Sequence, residues 1–530
     1  MSDNTTRRTF LKQSVFAGVG VASLLVPSGG TTVQVDARFN GVRLRIQEAV
    51  RNGSVASLAV AVAAGGRIIW EEAFGWADRE RRIPATPHTR YAIASVAKPF
   101  TATGLMILAE RGLVNLNHPA NQYLGGRQIT GYAGDASAAT LRLILQHRAG
   151  LPAHGQFFYA DENYAPPSMD ETIRRYGILV NPPGEGYTYS NLGYGILAYI
   201  TARISRRAYP EFMRREVFAP LGLTQTSVEI EPRLSSEAAR LYANDRKPIP
   251  YYVFDEWGSG RIFSTARDVV RFGMFHLKEH LPGQRPILSD ETIDQMVRDN
   301  HTTGMPGGFY GTDWFYGLGW GGREQSEYGY RWYGHEGGMP GASAQLKLIP
   351  SERVAVAVLS NSRHELTYDT VDSIIDVLLP DYPGMRRRDP TTGAAPAAPP
   401  FAPVQELPGE WRGQIKTWSG TVPVVMVFQS DGDVHIRVGE QLETLVNNVR
   451  FEDGRLTGRC HGTIPTMDIR PYPHNLRLSL ALRGSTLSGT VAAATTNARD
   501  HYYLSSWITL SKRHLPTGGR QNKSFEPTAS

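Results

Sequence analysis

The chain has 530 residues, of which 41% are hydrophobic and 20% charged, a composition typical of a globular protein and not of a disordered one. Its formal net charge of +6 is spread along the chain without a long basic run, so the charge pattern does not indicate a nucleic-acid-binding surface. The single cysteine, Cys460, excludes an internal disulfide and any metal site built from several cysteines. The length predicts two or three structural units.

The first 37 residues have the pattern of an export signal. Arg7 and Arg8 precede an apolar stretch rich in small residues, Val15–Val26. A paired arginine before such a stretch is typical of a twin-arginine signal, and the stretch is too short to span a bilayer. We therefore expect residues 1–37 to be a signal peptide and the protein to act in the periplasm or outside the cell. No other stretch predicts a membrane span.

Helical and strand patterns alternate over residues 38–385. The predicted elements are a helix at Arg43–Arg51, strands at Ser57–Ala63 and Arg67–Trp70, a helix from Lys98 to Gly112, strands at Ala342–Ile349 and Arg353–Ser360, and a helix at Thr370–Leu379. Gly65–Gly66 and Pro350–Ser351 mark two hairpin turns. Strands at both ends with helices between them predict an α+β fold: an antiparallel sheet assembled from the two ends, with a helical region on one face.

The composition changes after residue 385. The stretch 386–404 is rich in proline and alanine, which is typical of a semi-rigid linker. Short alternating runs separated by turn residues then predict an all-β barrel or sandwich over residues 405–515. Residues 516–530 are polar and predict a disordered tail. The predicted strands of the barrel are Val424–Phe428, Val434–Val438, Leu476–Leu482, Leu487–Val491 and Tyr502–Leu510.

The first candidate for chemistry is Ser95, which lies three residues before Lys98 at the start of an apolar helix. A serine hydroxyl needs a base within hydrogen-bond reach to act as a nucleophile at neutral pH. Positions i and i+3 share one helix face, so the Lys98 amine can contact the Ser95 hydroxyl. An ordinary helix cap would give the same pattern, so the motif alone leaves both interpretations open.

Two later stretches supply candidate partners for the serine. Tyr189 and Asn191 lie in a glycine-rich loop that enters an apolar helix. A tyrosine can move a proton if nearby ammonium charge lowers its pKa, and the Asn191 amide is suited to hold a substrate amide and the lysine together. The stretch 335–338, with its two glycines, precedes the strand at Ala342, where glycine lets a substrate backbone approach. Each stretch alone is also compatible with an ordinary loop or turn.

Together, the three stretches resemble a known family. Ser95–Lys98, Tyr189–Asn191 and His335–Gly337 are similar in order and spacing to the S-x-x-K, Y-x-N and H-x-G motifs of serine β-lactamases and penicillin-binding-protein hydrolases. The likeness is greatest to the branch of class C β-lactamases, D-alanyl-D-alanine carboxypeptidases, D-aminopeptidases and esterases, and it covers about residues 40–380. Leu145–Pro152 and Gly258–Asp268 also look like family stretches.

The resemblance implies acyl transfer. Ser95 would attack a carbonyl, Lys98 and Tyr189 would move protons, and the backbone N–H groups of Ser95 and Gly338 would hold the oxyanion before water hydrolyses the acyl-enzyme. The resemblance further implies no metal and no organic cofactor, and a small-molecule or peptide substrate such as a D-amino-acid peptide, an ester or a β-lactam. The C-terminal unit, which opens with Gly409–Trp411, resembles the lipocalin-like barrels that follow some family members. The oligomeric state stays open.

Two departures from the family pattern bear on the substrate. His335 replaces the usual lysine, so the fixed positive charge is lost near pH 7. Glu336 takes the usual threonine position, where its carboxylate would repel a substrate carboxylate unless strand alternation turns it away. Both features favour a D-residue peptidase, a carboxypeptidase or an esterase. The alternatives are a β-lactamase and a penicillin-type sensor or peptidoglycan-binding protein with little turnover.

Two other enzyme classes are disfavoured by the sequence. The stretch 276–280 fits the H-x-x-E-H zinc signature of inverted metalloproteases, but it lies at the end of a predicted helix, where histidines commonly cap carbonyls or face solvent. An α/β-hydrolase is disfavoured because the chain contains no G-x-S-x-G motif.

Overall fold

The computed structural model describes residues 36–230, 238–244, 246–298, 314–324, 330–380, 401–497 and 499–513, together with the backbone of residues 301–302. The predicted signal up to residue 35, the predicted linker up to residue 400 and the predicted tail lie outside the described residues. Within the described ranges, no helix is long and apolar enough to cross a membrane.

The described residues form eleven α-helices, three 3₁₀ turns and one π-helical turn. The α-helices are α1 (Asn40–Arg51), α2 (Ala97–Glu110), α3 (Asn121–Leu124), α4 (Leu141–Leu145), α5 (Met169–Tyr176), α6 (Asn191–Ser205), α7 (Tyr209–Met213), α8 (Trp257–Gly260), α9 (Ala266–His276), α10 (Asp290–Arg298) and α11 (Leu366–Leu378). The 3₁₀ turns are Ala37–Phe39, Ala94–Val96 and Ala136–Ala138, and the π-helical turn is Arg214–Phe218.

The strands fall into two groups. Those before residue 380 are β1 (Ser57–Ala64), β2 (Arg67–Asp78), β3 (Ile83–Pro84), β4 (Tyr91–Ala92), β5 (Thr130–Gly131), β6 (Gly155–Tyr159), β7 (Ile178–Leu179), β8 (Ser227–Val228), β9 (Tyr252–Phe254), β10 (Ile262–Ser264), β11 (His301–Thr302), β12 (Trp314–Tyr316), β13 (Gly321–Arg323), β14 (Trp332–Met339), β15 (Ala342–Ile349) and β16 (Val354–Ser360). Those after residue 401 are β17 (Gly409–Thr417), β18 (Gly420–Phe428), β19 (Val434–Val438), β20 (Thr444–Leu445), β21 (Asn447–Glu452), β22 (Arg455–Cys460), β23 (His474–Arg483), β24 (Thr486–Thr495) and β25 (Tyr502–Lys512).

The main sheet joins the two ends of the first region, as the sequence predicts. Its strand order within the described residues is β11-β12-β13-β14-β15-β16-β1-β2-β3, and neighbouring strands are antiparallel. Strand β1 turns alanines towards α9 and larger Val and Leu side chains towards α1 and α11. The helical region therefore covers one face, and α1 and α11 cover the other, which the sequence analysis did not anticipate. The predicted α+β class is confirmed.

The C-terminal region is a nearly closed antiparallel barrel. Its strand order is β20-β19-β18-β17-β25-β24-β23-β22-β21, so that the two end strands, β20 and β21, are also neighbours in sequence. The Gln441 side chain bonds the backbone of Thr463 in both directions, at 2.7 and 2.8 Å, and Thr444 Oγ1 donates to the His461 carbonyl. These bonds join the two ends of the sheet and leave few unpaired strand edges.

The barrel is hydrogen-bonded to the first region by strand addition. Strand β25 pairs with β6 through the registers Tyr502↔Gln156 and Tyr503↔Gly155, and the Phe157 N–H donates to the His501 carbonyl at 2.7 Å. Strand β6 also pairs with β9 on its other side. One short strand therefore connects the barrel to the helical region, close to the segment that follows residue 152.

The packing of the barrel predicts a large effect for Trp411. This side chain is fully buried and its indole N–H donates to the Leu407 carbonyl at 2.8 Å. We expect Trp411→Ala to lower the free energy of unfolding of the barrel by about 3–5 kcal/mol, because it leaves a cavity and an unpaired carbonyl. Urea denaturation followed by circular dichroism measures the change. Leu442→Ala is the control, since Leu442 is 87% exposed and a change beyond about 0.5 kcal/mol there would contradict the argument.

Candidate active site

Ser95 lies on a strained turn at the edge of a cavity. It belongs to the 3₁₀ turn Ala94–Val96, directly before α2, and its side chain is partly exposed. Ala94 has φ +47°, in the left-handed region that non-glycine residues rarely adopt. The turn is held by the Ile93 N–H, which donates to the Ile262 carbonyl at 3.0 Å, and by the Val96 N–H, which donates to the Ile93 carbonyl.

The Lys98 side chain is fully buried beside this serine. Its amine lies 3.0 Å from Ser95 Oγ, 2.8 Å from Asn191 Oδ1 and 2.9 Å from the Ser259 carbonyl oxygen. The three neighbours come from the turn before α2, from the start of α6 and from the short helix α8. The predicted i, i+3 contact is thus present in the structure, and two further elements fix the amine in place.

Burial makes the Lys98 amine a base near neutral pH. It lowers the pKa of Lys98 to about 7, although the nearby Glu256 acts in the opposite direction. A neutral amine has two N–H donors and one lone pair. Asn191 Oδ1 and the Ser259 carbonyl can only accept, so they take the two N–H groups. The lone pair then faces the Ser95 hydroxyl, which donates its proton to the amine.

Asn191 is oriented by a second hydrogen bond. It is the first residue of α6, where Ser190 caps the helix by accepting from the Gly193 N–H at 3.1 Å. The Asn191 Nδ2 group donates to the His154 carbonyl at 3.1 Å, which directs Oδ1 to Lys98. The sequence analysis expected this amide to hold the lysine and a substrate amide together. The structure shows the contact with the lysine; one of the two Nδ2 N–H groups bonds His154, and Asn191 lines the cavity beside Ser95, so the other N–H can reach a substrate.

Tyr189 reaches the serine, but its pKa moves against expectation. The Lys98 amine lies 4.7 Å from the centre of the Tyr189 ring, and the Ser95 side chain is near enough to influence the pKa of the phenol. Burial raises the pKa of Tyr189 above its usual value, and the nearby Ser95 side chain only partly opposes this. The prediction that ammonium charge lowers this pKa is therefore wrong, because desolvation is the larger effect. Tyr189 is a protonated phenol at neutral pH.

His335 is a neutral ring with both nitrogens engaged. Its Nδ1–H donates to the Glu336 carbonyl at 2.7 Å, so Nε2 accepts from the Tyr316 hydroxyl at 2.9 Å. Burial lowers the pKa of His335 to about 3, and the charge of Lys98 acts in the same direction. The side chain lies 6.5 Å from Tyr189, ring centre to ring centre. It therefore lines the site without supplying a positive charge.

The structure decides the orientation of Glu336. Its carboxylate accepts from the Tyr368 hydroxyl at 2.9 Å, and Tyr368 belongs to α11, on the face of the sheet opposite to the helical region. Strand alternation thus turns Glu336 away from the face that carries His335. The carboxylate does not point at a substrate bound against Ser95.

The two glycines of this strand have different tasks. A Cβ on Gly337 would lie 2.3 Å from the Ile93 carbonyl oxygen, so only glycine lets β14 approach the turn that carries Ser95. A Cβ on Gly338 would meet no atom within 4 Å, and Gly338 lines the cavity together with Ser95. Among the residues that the structure describes, β13 pairs with β14 only up to Gly334, and Gly338 lies further along β14 at the cavity.

The cavity beside Ser95 has a volume of about 380 Å³ and is walled partly by the barrel. The barrel contributes residues of β23, β24 and β25 and of the loop before β25; these are Arg477, Ala494, Thr495, Asp500, Tyr502 and Tyr503. A second cavity of about 680 Å³ lies between the loop before α6 and the barrel, and it shares Ala153 and Tyr503 with the first. The sequence indicated a barrel but gave no signal for which of its residues reach the site.

Other groups at the site were also missed by sequence reasoning. Ser259 acts through its backbone carbonyl, which no side-chain motif reveals, although Gly258–Asp268 was recognised as a family-like stretch. His147, from the stretch Leu145–Pro152, packs its ring 4.3 Å from that of Tyr189 and accepts the Ser190 N–H. Burial holds the pKa of His147 well below its usual value. These residues surround the reacting groups with neutral, buried side chains.

The stretch 276–280 does not form a site. His276 is buried, with Nε2 3.0 Å from Thr103 Oγ1, whereas His280 is exposed and Glu279 is paired with Arg353. Among the described residues, one group of three side chains brings possible metal-ligating atoms within 4.8 Å of one another: His154, Asp255 and Glu256.

The hydrogen bonds of His154, Asp255 and Glu256 show which of their atoms are already paired within the protein. Asp255 Oδ2 already accepts from Thr172 Oγ1 and lies 3.2 Å from His154 Nε2. His154 Nε2 and Asp255 Oδ2 are therefore paired with each other, whereas His154 Nδ1 has no hydrogen-bond partner among the described residues.

Comparison with known proteins agrees with this geometry. The family model described as Beta-lactamase matches residues 42–379. Penicillin-binding protein 4* of Bacillus subtilis is 27% identical over 58% of this chain and 69% of its own length.

Solved structures with the same fold include that of SurE, with a TM-score of 0.60 at 20% identity, covering 90% of this chain and 99% of SurE. The D-amino acid amidase of Ochrobactrum anthropi, solved with D-phenylalanine, has a TM-score of 0.54 at 22% identity. That match covers 65% of this chain and 99% of the amidase. Both likenesses concern the fold, and the SurE match extends over the barrel.

The close approach at Gly337 gives a structural prediction. We expect Gly337→Ala to destabilise the protein by about 1–3 kcal/mol, because the added methyl group collides with the rigid Ile93 carbonyl. Thermal melting followed by circular dichroism tests this. The control is Gly41→Ala in α1, where the added Cβ meets no atom within 4 Å. Equal melting temperatures for the Gly337 variant and the wild type would contradict the proposed packing.

Proposed function

The chain belongs to the β-lactamase family, and we propose that it is a serine hydrolase that cleaves amides or esters through a Ser95 acyl-enzyme. The observation that carries the proposal is the contact between Ser95 Oγ and the Lys98 amine at 3.0 Å, with burial lowering the pKa of that amine to about 7. A nucleophile beside a base that is partly neutral at neutral pH is the arrangement that acyl transfer requires.

The reaction follows from the hydrogen bonds around Ser95. The Lys98 lone pair accepts the hydroxyl proton as Oγ attacks the substrate carbonyl, and the resulting oxyanion is held by the N–H groups of Ser95 and Gly338. The proton on Lys98 passes through the Tyr189 hydroxyl to the leaving nitrogen or oxygen. Water then attacks the acyl-enzyme and gives a proton to the same base, which releases the acid and restores Ser95.

We propose a D-residue peptidase, amidase or esterase as the specific activity. The neutral His335 leaves the strand β14 without the fixed positive charge that would bind a substrate carboxylate, which disfavours a dedicated β-lactamase. The D-amino acid amidase among the structural relatives supports the same class. One observation favours the β-lactamase alternative: Glu336 points away from the cavity, so it does not repel a carboxylate there.

A matched panel of substrates tests the proposal. We expect the wild type to hydrolyse D-aminoacyl anilides or short nitrophenyl esters faster than a chromogenic cephalosporin, and Ser95→Ala to lower every rate by about a thousandfold or more. Activity of Ser95→Ala at the wild-type rate would refute the assignment. A labelling burst without steady turnover would instead identify the sensor or peptidoglycan-binding alternative.

The proton-transfer role of Tyr189 has its own control on the same panel. We expect Tyr189→Phe to slow the first turnover by about 10²–10⁴-fold, because it removes the hydroxyl that relays the proton. Tyr368→Phe makes the same change on the opposite face of the sheet and should keep the wild-type rate. Full activity in the Tyr189 variant would remove it from the mechanism.

The pKa of Lys98 predicts the pH dependence of acylation. The base must be neutral, and its pKa is about 7, so the rate of the first turnover should rise about tenfold per pH unit below pH 7 and level off above it. Release of the leaving group from a nitrophenyl ester in a stopped-flow burst measures this rising part of the profile, its acid limb. A flat profile between about pH 5 and 8 would show that Lys98 is not the base.

We also propose export by the twin-arginine route, based on Arg7 and Arg8 before the apolar stretch. Replacing both arginines by lysine should retain the protein in the cytoplasm, which cell fractionation with immunodetection measures. Unchanged export of that variant would overturn the proposal.

A further inference from the structure

Next to the Ser95–Lys98 pair lies a buried cluster that the proposed mechanism does not use. It consists of His154, Asp255 and Glu256, whose side chains are at most 1% exposed. His154 Nε2 lies 3.2 Å from Asp255 Oδ2 and 3.7 Å from Glu256 Oε1. Glu256 also lines the cavity that contains Ser95. A buried carboxyl group therefore reaches the site itself.

The hydrogen bonds of the cluster show which carboxyl group carries the proton. Asp255 Oδ2 accepts from Thr172 Oγ1 and from His154 Nε2, and a carboxyl oxygen of Asp255 lies within 4.8 Å of one of Glu256. No donor reaches Glu256 Oε1 among the described residues, and Asp255 Oδ1 is likewise without a donor, so it is the atom that can accept a proton held by Glu256. Two carboxylates in contact cannot both stay ionised, and the negative charge resides where the donors are. Asp255 is therefore the carboxylate, and the Glu256 hydroxyl donates to it.

The pKa directions agree with this assignment. Burial raises the pKa of Glu256 well above its usual range, and the charge of Asp255 adds to the effect. Burial would also raise the pKa of Asp255, but the His154 ring and the hydrogen bonds outweigh it and lower the value. The proton assignment thus follows both from the contacts and from the electrostatics.

The state of Glu256 matters because Lys98 has no other close counter-charge. The amine contacts Ser95, Asn191 and Ser259, which are all neutral, and no ion pair joins it to Glu256 among the described residues. Of the neighbouring charges, that of Glu256 is the one that raises the pKa of Lys98. An ionised Glu256 would favour the ammonium form and remove the base, whereas a protonated Glu256 does not.

We propose that Glu256 is a positioning residue for the base: it keeps a proton shared with Asp255, so that no negative charge faces Lys98 and the amine can accept the Ser95 proton. The proposal rests on the proposed function insofar as Lys98 is the base. Packing holds the backbone and the Cβ of Glu256 in place. A Cβ on Gly195 in α6 would lie 2.9 Å from the Glu256 Cβ, and the Glu256 carbonyl accepts from the Ser259 N–H and hydroxyl.

Other titratable and charged groups lie near the cluster, and the test must separate their effect on the pKa of Lys98 from that of Glu256. The ring of Tyr176 in α5 packs 4.6 Å from that of His154, and its hydroxyl donates to Asp468 of the barrel. The groups that face Lys98 or line the cavity are Tyr189, Tyr194, His147, His335, Arg363, Arg477, Asp500, Tyr502 and Tyr503. None of these changes in the variants below.

A double-mutant cycle on the pH profile of acylation tests the proposal. We expect Glu256→Gln to leave the acid limb where it lies in the wild type, because a neutral group replaces a neutral group. Asp255→Asn removes the charge that adds to burial in raising the pKa of Glu256, so part of Glu256 should ionise at neutral pH and the limb should move up. In the double variant the limb should return to the wild-type position, because the amide introduced by Glu256→Gln cannot ionise. Asp468→Asn, another buried acid-to-amide change, should leave the limb in place.

A structural role would give a different result. If the double variant keeps the shift of Asp255→Asn, or if Glu256→Gln lowers the limb by about one pH unit, the carboxyl group is ionised or merely structural and the proposal is overturned.

Infrared spectroscopy of the wild type at neutral pH gives a readout that needs no substrate. A protonated-carboxyl C=O band that is lost in Glu256→Gln supports the assignment, and its absence in the wild type overturns it. This measurement separates failure of the proposal from failure of the Ser95 mechanism, which the Ser95→Ala panel tests.

Discussion

The proposed chemistry depends on one buried amine, that of Lys98, which forms no ion pair with any residue that the structure describes. Lys98 is surrounded by three neutral oxygen atoms, and these satisfy its hydrogen bonds without supplying a full negative charge. Each oxygen comes from a different part of the chain: the turn before α2, the start of α6 and the helix α8. The low pKa of the proposed base therefore results from packing, since desolvation is its main cause.

The barrel is connected to this site by a short path of backbone. Strand β25 adds to β6, and β6 begins one residue after His154, whose carbonyl orients the Asn191 amide on Lys98. The same barrel forms one wall of the cavity at Ser95. Strand addition thus fixes the barrel relative to the reacting groups, because backbone hydrogen bonds set both the distance and the register of the two regions.

Much of the fold could be predicted from local patterns. The strands Ala342–Ile349 and Val434–Val438 have the predicted bounds, and the helix predicted from Lys98 to Gly112 is Ala97–Glu110. These elements are marked by hydrophobic periodicity and turn residues, which act over a few positions. The cover of the second sheet face by α1 and α11 was not predicted, because which face a helix covers depends on partners far away in sequence.

The sequence by itself determined the residue types and the order of the three motifs, since side-chain identity and spacing are local properties. Only the tertiary structure decided the protonation, the orientation and the close contacts of those residues. Burial keeps Tyr189 protonated, strand alternation turns Glu336 towards Tyr368, and the Ile93 carbonyl makes Gly337 obligatory. Desolvation, strand orientation and close contact all depend on which distant segments pack together, and the local sequence does not determine this.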